Sequence, residues 1–233
     1  MHRRSFITLA FISLLGLSLL SACSRAESPA ASGDRHADNP AAGANPAPRP
    51  RIVVLGDSLT AGLGLDKSEA YPAILQRMVD AAGYPFEVSN AGVSGDTTAG
   101  GLSRLDWSLE GDARILIVAL GGNDGLRGLP PDEMKKNLDA IAGRAQARGI
   151  AVLLAGMESP TNMGADYQRR FHDVFPAVAR EQRVAFLPFL LEGVAGRPEL
   201  NQRDGIHPTA EGARLIADRL WPVLEPMLRA ATR

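Results

Sequence analysis

The chain has 233 residues, of which 45% are hydrophobic and 22% charged, with a formal net charge of −1. That supports one cored domain with appendages, and it excludes the positive surplus that binding to a nucleic-acid backbone needs. A single cysteine, Cys23, excludes an intrachain disulfide and any metal site built on cysteines.

Residues 1–22 read as an export signal. Arg3 and Arg4 form a positive n-region, and Phe6 to Leu20 is an apolar stretch too short to span a membrane. Leu20-Ser21-Ala22-Cys23 resembles a bacterial lipobox, in which the cysteine is lipidated and becomes the mature N-terminus. Plain cleavage near Ser21-Ala22 would leave a soluble protein instead. The lipobox reading implies an exported lipoprotein on a membrane, facing the periplasm or the cell exterior. Arg3-Arg4-Ser5-Phe6-Ile7 also resembles a twin-arginine signal, which a basic n-region explains equally well. Residues 24–50 hold eight alanines, five prolines and no Leu, Ile, Val or Phe. Such a segment cannot bury enough apolar surface to fold, so residues 23–50 are expected to be a disordered, semi-extended tether.

From residue 51 to 233 strand signals alternate with helix signals. Strands are predicted at 52–55, 86–90, 114–120, 150–156 and 184–187. Helices are predicted near 69–82, 98–109, 132–148, 165–181 and 209–230. The runs Arg114 to Leu120 and Ile150 to Leu154 are almost continuously apolar, as in strands covered on both faces of a parallel sheet. The helix at 132–148 opens with Pro130-Pro131-Asp132 and stops at Gly149. The alternation predicts a doubly wound, three-layer α/β domain, flavodoxin-like, with a parallel sheet of about five strands.

Polar residues gather just after strands, where open α/β sheets place their sites. Gly56-Asp57-Ser58-Leu59 follows the first strand, which puts a serine on a tight strand-to-helix turn like a nucleophile elbow. An ordinary turn would carry the same residues. Asn90 to Thr97 follows the second strand, Gly121-Gly122-Asn123-Asp124 the third, and Asp204-Gly205-Ile206-His207-Pro208 the last. Of four histidines, His2 lies in the signal, His36 in the tether, and His172 on a charged helix face. His207 remains as a candidate base for Ser58. Asp204, three residues earlier, could reach its Nδ1–H and fix the tautomer. A capped turn before the final helix explains the Asp-x-x-His spacing equally well.

Taken together the four loops resemble the blocks of the SGNH, or GDSL-type, hydrolases, in matching order and spacing, over residues 51 to about 228. The likeness is to their bacterial thioesterase, lysophospholipase and arylesterase branch. It implies Ser58 as nucleophile, His207 as general base and Asp204 as its orienter. It also implies an oxyanion hole of Ser58 N–H, Gly95 N–H and the Asn123 amide. Donors fixed in advance at a developing oxyanion are worth roughly 10²–10³ in rate each. Asp57, Asp96 and Asp124 read as structural, bonding loop N–H groups. Leu126, Leu129, Met157, Pro160 and Met163 lie on loops near the same edge and could line an acyl groove, or simply pack their loops.

The expectation is a serine esterase acting through an acyl-enzyme on acyl esters, thioesters or lysophospholipids, with no cofactor, no metal and no nucleic-acid partner. A carbohydrate O-deacetylase would use the same blocks. A non-catalytic, lipid-anchored binding module is the rival from outside enzymes, and it would be favoured by loss of Ser58, Asn123 or His207, all of which are present.

Overall fold

Five apolar runs form one parallel sheet in the order β2-β1-β3-β4-β5, in a computed structural model that describes residues 48–232. The segment expected to be an export signal, Cys23 and the expected tether through residue 47 lie outside the described residues. The strands are β1 (Arg51–Gly56), β2 (Glu87–Gly92), β3 (Ala113–Ala119), β4 (Ala151–Ala155) and β5 (Ala185–Leu187). β1 and β3 are buried along almost their whole length, which is what their uninterrupted apolar sequences require. β2 lies at one edge and is only half-buried, in keeping with its polar Ser89 and Asn90.

The longer helices are α2 (Tyr71–Ala81), α6 (Pro131–Ala147), α7 (Ala165–Gln182) and α8 (Ala210–Ala231). α2 packs with α8, and α6 packs with α7 and with α3 (Thr98–Ser103), so helices enclose the sheet. Winding begins at β1, moves outward to β2, then reverses to β3, and this makes β1 and β3 the topological switch point. Register decides where the loops begin. Gly56 of β1 pairs with Gly92 of β2 and with Ala119 of β3. Three loops therefore leave the sheet at one level.

Two short helices fall in predicted loops: α1 (Ser58–Ala61) and α5 (Gly122–Leu126). The single helix expected over 98–109 is two, α3 and α4 (Leu105–Ser108), broken at Arg104, whose backbone leaves the helical region. The break coincides with a side chain that reaches inward to four acceptors. β2 runs two residues past its expected end because it pairs with β1 as far as Gly92. At the start, Arg49 Nη1 bonds Asp80 Oδ1 at 2.8 Å and Glu87 N–H donates to the Pro50 carbonyl at 2.9 Å. The backbone thus joins the domain one residue before Arg51, and the Arg49 side chain two residues before it.

Candidate active site

Ser58 begins α1 immediately after β1. The turn is sharp enough that a Cβ on Gly56 would lie 1.9 Å from Thr60 Oγ1, so only glycine fits there. Asp57 caps α1, accepting from Leu59 N–H at 3.0 Å. The capped turn holds the Ser58 hydroxyl 2.9 Å from His207 Nε2, although 149 residues separate them in the chain. His207 Nδ1 lies 2.7 Å from Asp204 Oδ2. An ionised carboxylate only accepts, so Nδ1 carries the proton, and the lone pair on Nε2 faces the serine. Asp204 Oδ1 also accepts the N–H groups of Ile206 and His207, at 2.9 and 3.0 Å. The bond from the His207 N–H, then that from its ring, then that from Ile206, draw the Asp204 carboxyl down to about 2. It stays ionised wherever an imidazole can act as a base.

Asn123 follows β3 at the start of α5. Its Nδ2 donates to Asp57 Oδ2 at 3.1 Å, leaving the second amide hydrogen unclaimed by that bond. Asp57 is 3% exposed, and burial raises its carboxyl above the ordinary value; the Leu59 and Asn123 bonds oppose the rise. Gly95 lies in the β2–α3 loop at φ 85°, a left-handed conformation that suits glycine. Its carbonyl accepts from Arg127 Nη2 at 2.8 Å, and the Asp96 N–H of the same peptide donates to the Val93 carbonyl at 3.1 Å, which fixes the loop just after Gly95. Among the described residues no acceptor meets the Gly95 N–H.

Ser58, Gly95, Asn123 and His207 line one cavity of about 510 Å³. Leu126, Met157 and Pro160 line it too. Leu129 and Met163 do not. The Leu129 carbonyl accepts from the Tyr167 hydroxyl at 2.9 Å, and the Met163 thioether lies close to Gly128. Comparison with known proteins decides what such a cavity belongs to. The model of the GDSL-like lipase/acylhydrolase family matches residues 54–215. The chain belongs to that family.

It is accordingly a carboxylic ester hydrolase. Esterase TesA of Pseudomonas aeruginosa is 44% identical over 76% of this chain and 89% of its own. Thioesterase 1/protease 1/lysophospholipase L1 of Escherichia coli is 38% identical over 76% of this chain and 84% of its own. The crystal structure of the psychrotrophic esterase EstA from Pseudoalteromonas, inhibited by monoethylphosphonate, superposes with a TM-score of 0.73 at 33% identity, covering 77% of this chain and 98% of that one.

The GDSL-type site has supports that sequence reading does not reveal. Arg104 donates from Nε to Asp96 Oδ2 at 2.6 Å, from Nη1 to the Ala91 carbonyl at 2.8 Å, and from Nη2 to the Gly56 carbonyl at 2.9 Å. Asp96 therefore binds a side chain, not the loop N–H expected of it. Asp124 accepts from both the N–H and the hydroxyl of Thr98, at 2.9 and 2.6 Å, which ties α5 to α3. Leu59, Leu63, Phe189, Leu191, Ala195 and Ile206 complete the apolar lining, and Leu63, Leu126 and Ile206 are about half exposed. Glu158 also lines it, with His172 Nδ1 at 2.7 Å from its Oε1 on the solvent side. Position beside His207 could have flagged Ile206; nothing local to the sequence marks Arg104.

Proposed function

We propose that the protein is a serine esterase that works through a covalent acyl-enzyme. The observation that carries this reading is the hydrogen-bonded line Ser58 Oγ to His207 Nε2 to Asp204, at 2.9 and 2.7 Å, opening on a cavity. Ser58 Oγ attacks the acyl carbon as its proton passes to Nε2. The carbonyl oxygen becomes an oxyanion, received by the N–H groups of Ser58 and Gly95 and by the free amide hydrogen of Asn123. As the carbon–leaving-group bond breaks, His207 returns the proton to the departing oxygen or sulfur. Water then repeats the sequence on the acyl-enzyme, with His207 again as base, and frees the acid.

Leu126, Met157 and Pro160, together with the other apolar lining residues, suit an acyl chain in preference to a sugar ring, which needs a polar lining. The substrates are acyl esters, and thioesters and lysophospholipids share the same reacting group. Its relatives' names, an esterase and a thioesterase/lysophospholipase, support that range. Residues 1–22 export the chain, Cys23 takes the lipid anchor, and residues 24–50 tether the domain to the membrane.

A fluorophosphonate probe and p-nitrophenyl esters from acetate to palmitate test the reading. Wild type should label and turn over, and Ser58→Ala should do neither. Asn123→Ala should label slowly and lose roughly 10²–10³ in kcat with little change in KM. Wild type that takes no probe and cleaves no ester would refute the mechanism.

A further inference from the structure

A second groove adjoins the catalytic cavity. It has a volume of about 330 Å³ and shares Gly196, Asn201 and Gly205 with the cavity as common wall. Its charged lining residues are Arg197 and Arg203. Both are exposed, and neither guanidinium is hydrogen-bonded or ion-paired to another described residue. The frame beneath them is fixed. Asn201, 6% exposed, donates from Nδ2 to the carbonyls of Val194 and Arg197 at 2.7 and 2.8 Å, pinning one loop to the other. Gln202 N–H donates to the His207 carbonyl at 2.7 Å, and Gly205 N–H to the Gln202 carbonyl at 2.9 Å, so the Arg203 turn is locked to the histidine itself. Two arginines without an ion-pair partner among the described residues thus project from loops whose backbone these bonds fix.

The chemistry sets the direction of the groove. His207 must protonate the departing atom, so the leaving group lies on the His207 side of Ser58. The shared wall includes Gly205, two residues from His207. A leaving group long enough to pass that wall enters the groove. Glu158 lines the catalytic cavity but not the groove, and its Oε1 is engaged by His172 Nδ1 at 2.7 Å. Asp204 and Glu199 lie near the arginines in sequence, but neither lines the groove, and the Asp204 carboxylate is already held by His207 and Ile206.

We infer that Arg197 and Arg203 form a leaving-group subsite for a phosphate, so that acyl esters whose alcohol carries a phosphomonoester are cleaved in preference to neutral ones. This rests on the serine-esterase reading above. Arginine suits the task because its planar fork matches phosphate oxygens and its charge is permanent.

The test compares monooctanoyl glycerol with its glycerol phosphomonoester, both below their aggregation concentrations. At about 0.01 M salt, wild type should favour the phosphate ester in kcat/KM by roughly tenfold, and about 1 M salt should erase most of that preference through screening. Arg197→Ala/Arg203→Ala should lower the ratio of the two kcat/KM values by about tenfold. A ratio divides out any loss of folded enzyme. The same ratio in wild type and double variant, or a wild-type preference insensitive to salt, would overturn the subsite. Failure of wild type on p-nitrophenyl octanoate would strike the hydrolase reading itself, whereas turnover with a flat ratio strikes the subsite alone.

Discussion

The two halves of the site are held in place by different means. On the side of Asn123 the supports are buried and long-range: Asp57 reaches from β1 to α5, Asp124 from α5 to α3, and Arg104 from the α3–α4 break to β1 and β2. Asp57, Thr98 and Asp124 are all but fully covered. On the side of His207, every bond that Asp204 makes lies within three residues, and its side chain is 46% exposed. A group bound across several elements can move only if the fold moves. A group bound within its own turn can be altered chemically while the fold stays intact. The first half should therefore couple activity to stability, and the second should not.

The sharpest way to break that contrast is Asp204→Asn. The asparagine oxygen can still accept the Ile206 and His207 N–H groups, so the turn survives. Its NH₂ would face Nδ1, which must then accept, and the proton moves to Nε2, the atom that should take the proton of Ser58. Loss of the correct tautomer should lower kcat by about 10⁴. The melting temperature should stay within about 2 °C of wild type, as for an exposed substitution without a buried consequence. A large fall in melting temperature would mean that the turn is not self-sufficient.

Legibility in the sequence follows the same division. Strand ends, the Gly-Asp-Ser turn and the Asp-x-x-His spacing are local patterns, and local chemistry fixes them: Gly56 because a Cβ has no room, Asp204 because its partners are its neighbours. Strand order 2-1-3-4-5 is the flavodoxin-like one of the common doubly wound orders, and alternation alone does not choose between them. Arg104 belongs to the other kind. It lies in a stretch that reads as continuous helix, and its three shorter bonds go to acceptors 8, 13 and 48 residues away; only the long one to Ser108 Oγ, at 3.5 Å, has helical spacing. No periodicity encodes such a meeting. Leu129 and Met163 show the converse: loop position near the sheet edge does not place them in the lining.

Arg104→Met should give the middle effect, and it should fall on stability first. The Arg104–Asp96 pair is only 16% and 18% exposed. Removing the guanidinium leaves the Asp96 carboxylate and the Ala91 carbonyl without this donor, while the Gly56 carbonyl keeps only the Val93 N–H, at 3.0 Å. Stranding largely covered acceptors costs about 3 kcal/mol, or on the order of 10 °C in Tm for a domain of this size. Since the Gly56 carbonyl precedes Asp57 and Ser58, kcat should fall with stability. Thermal scans and kcat measured on one preparation read both. A variant that loses kcat at unchanged Tm would place Arg104 with the self-contained half of the site.

The smallest effect is expected at Asp57, and its sign separates burial from hydrogen bonding. Burial raises this carboxyl above 3.8, against the Leu59 and Asn123 bonds that favour its charged form. The native state therefore holds the proton more tightly than the unfolded chain does. In the window just above pH 3.8 the native state binds more protons, so stability falls as pH rises through it, and above the raised value the full cost is in force. Asp57→Asn removes the titration. Its denaturation midpoint should lack the downward step that wild type shows on going from about pH 4 upward. The amide oxygen introduced by Asp57→Asn can still cap α1 through Leu59, but its NH₂ would meet the Asn123 amide, donor against donor. Asn123 must then turn its oxygen toward residue 57, which shifts the donor from the cavity, and kcat should fall by about tenfold, less than in Asn123→Ala. Identical pH slopes in wild type and Asp57→Asn would mean that the two hydrogen bonds outweigh burial, and that this support stabilises the fold as an ordinary ionised cap.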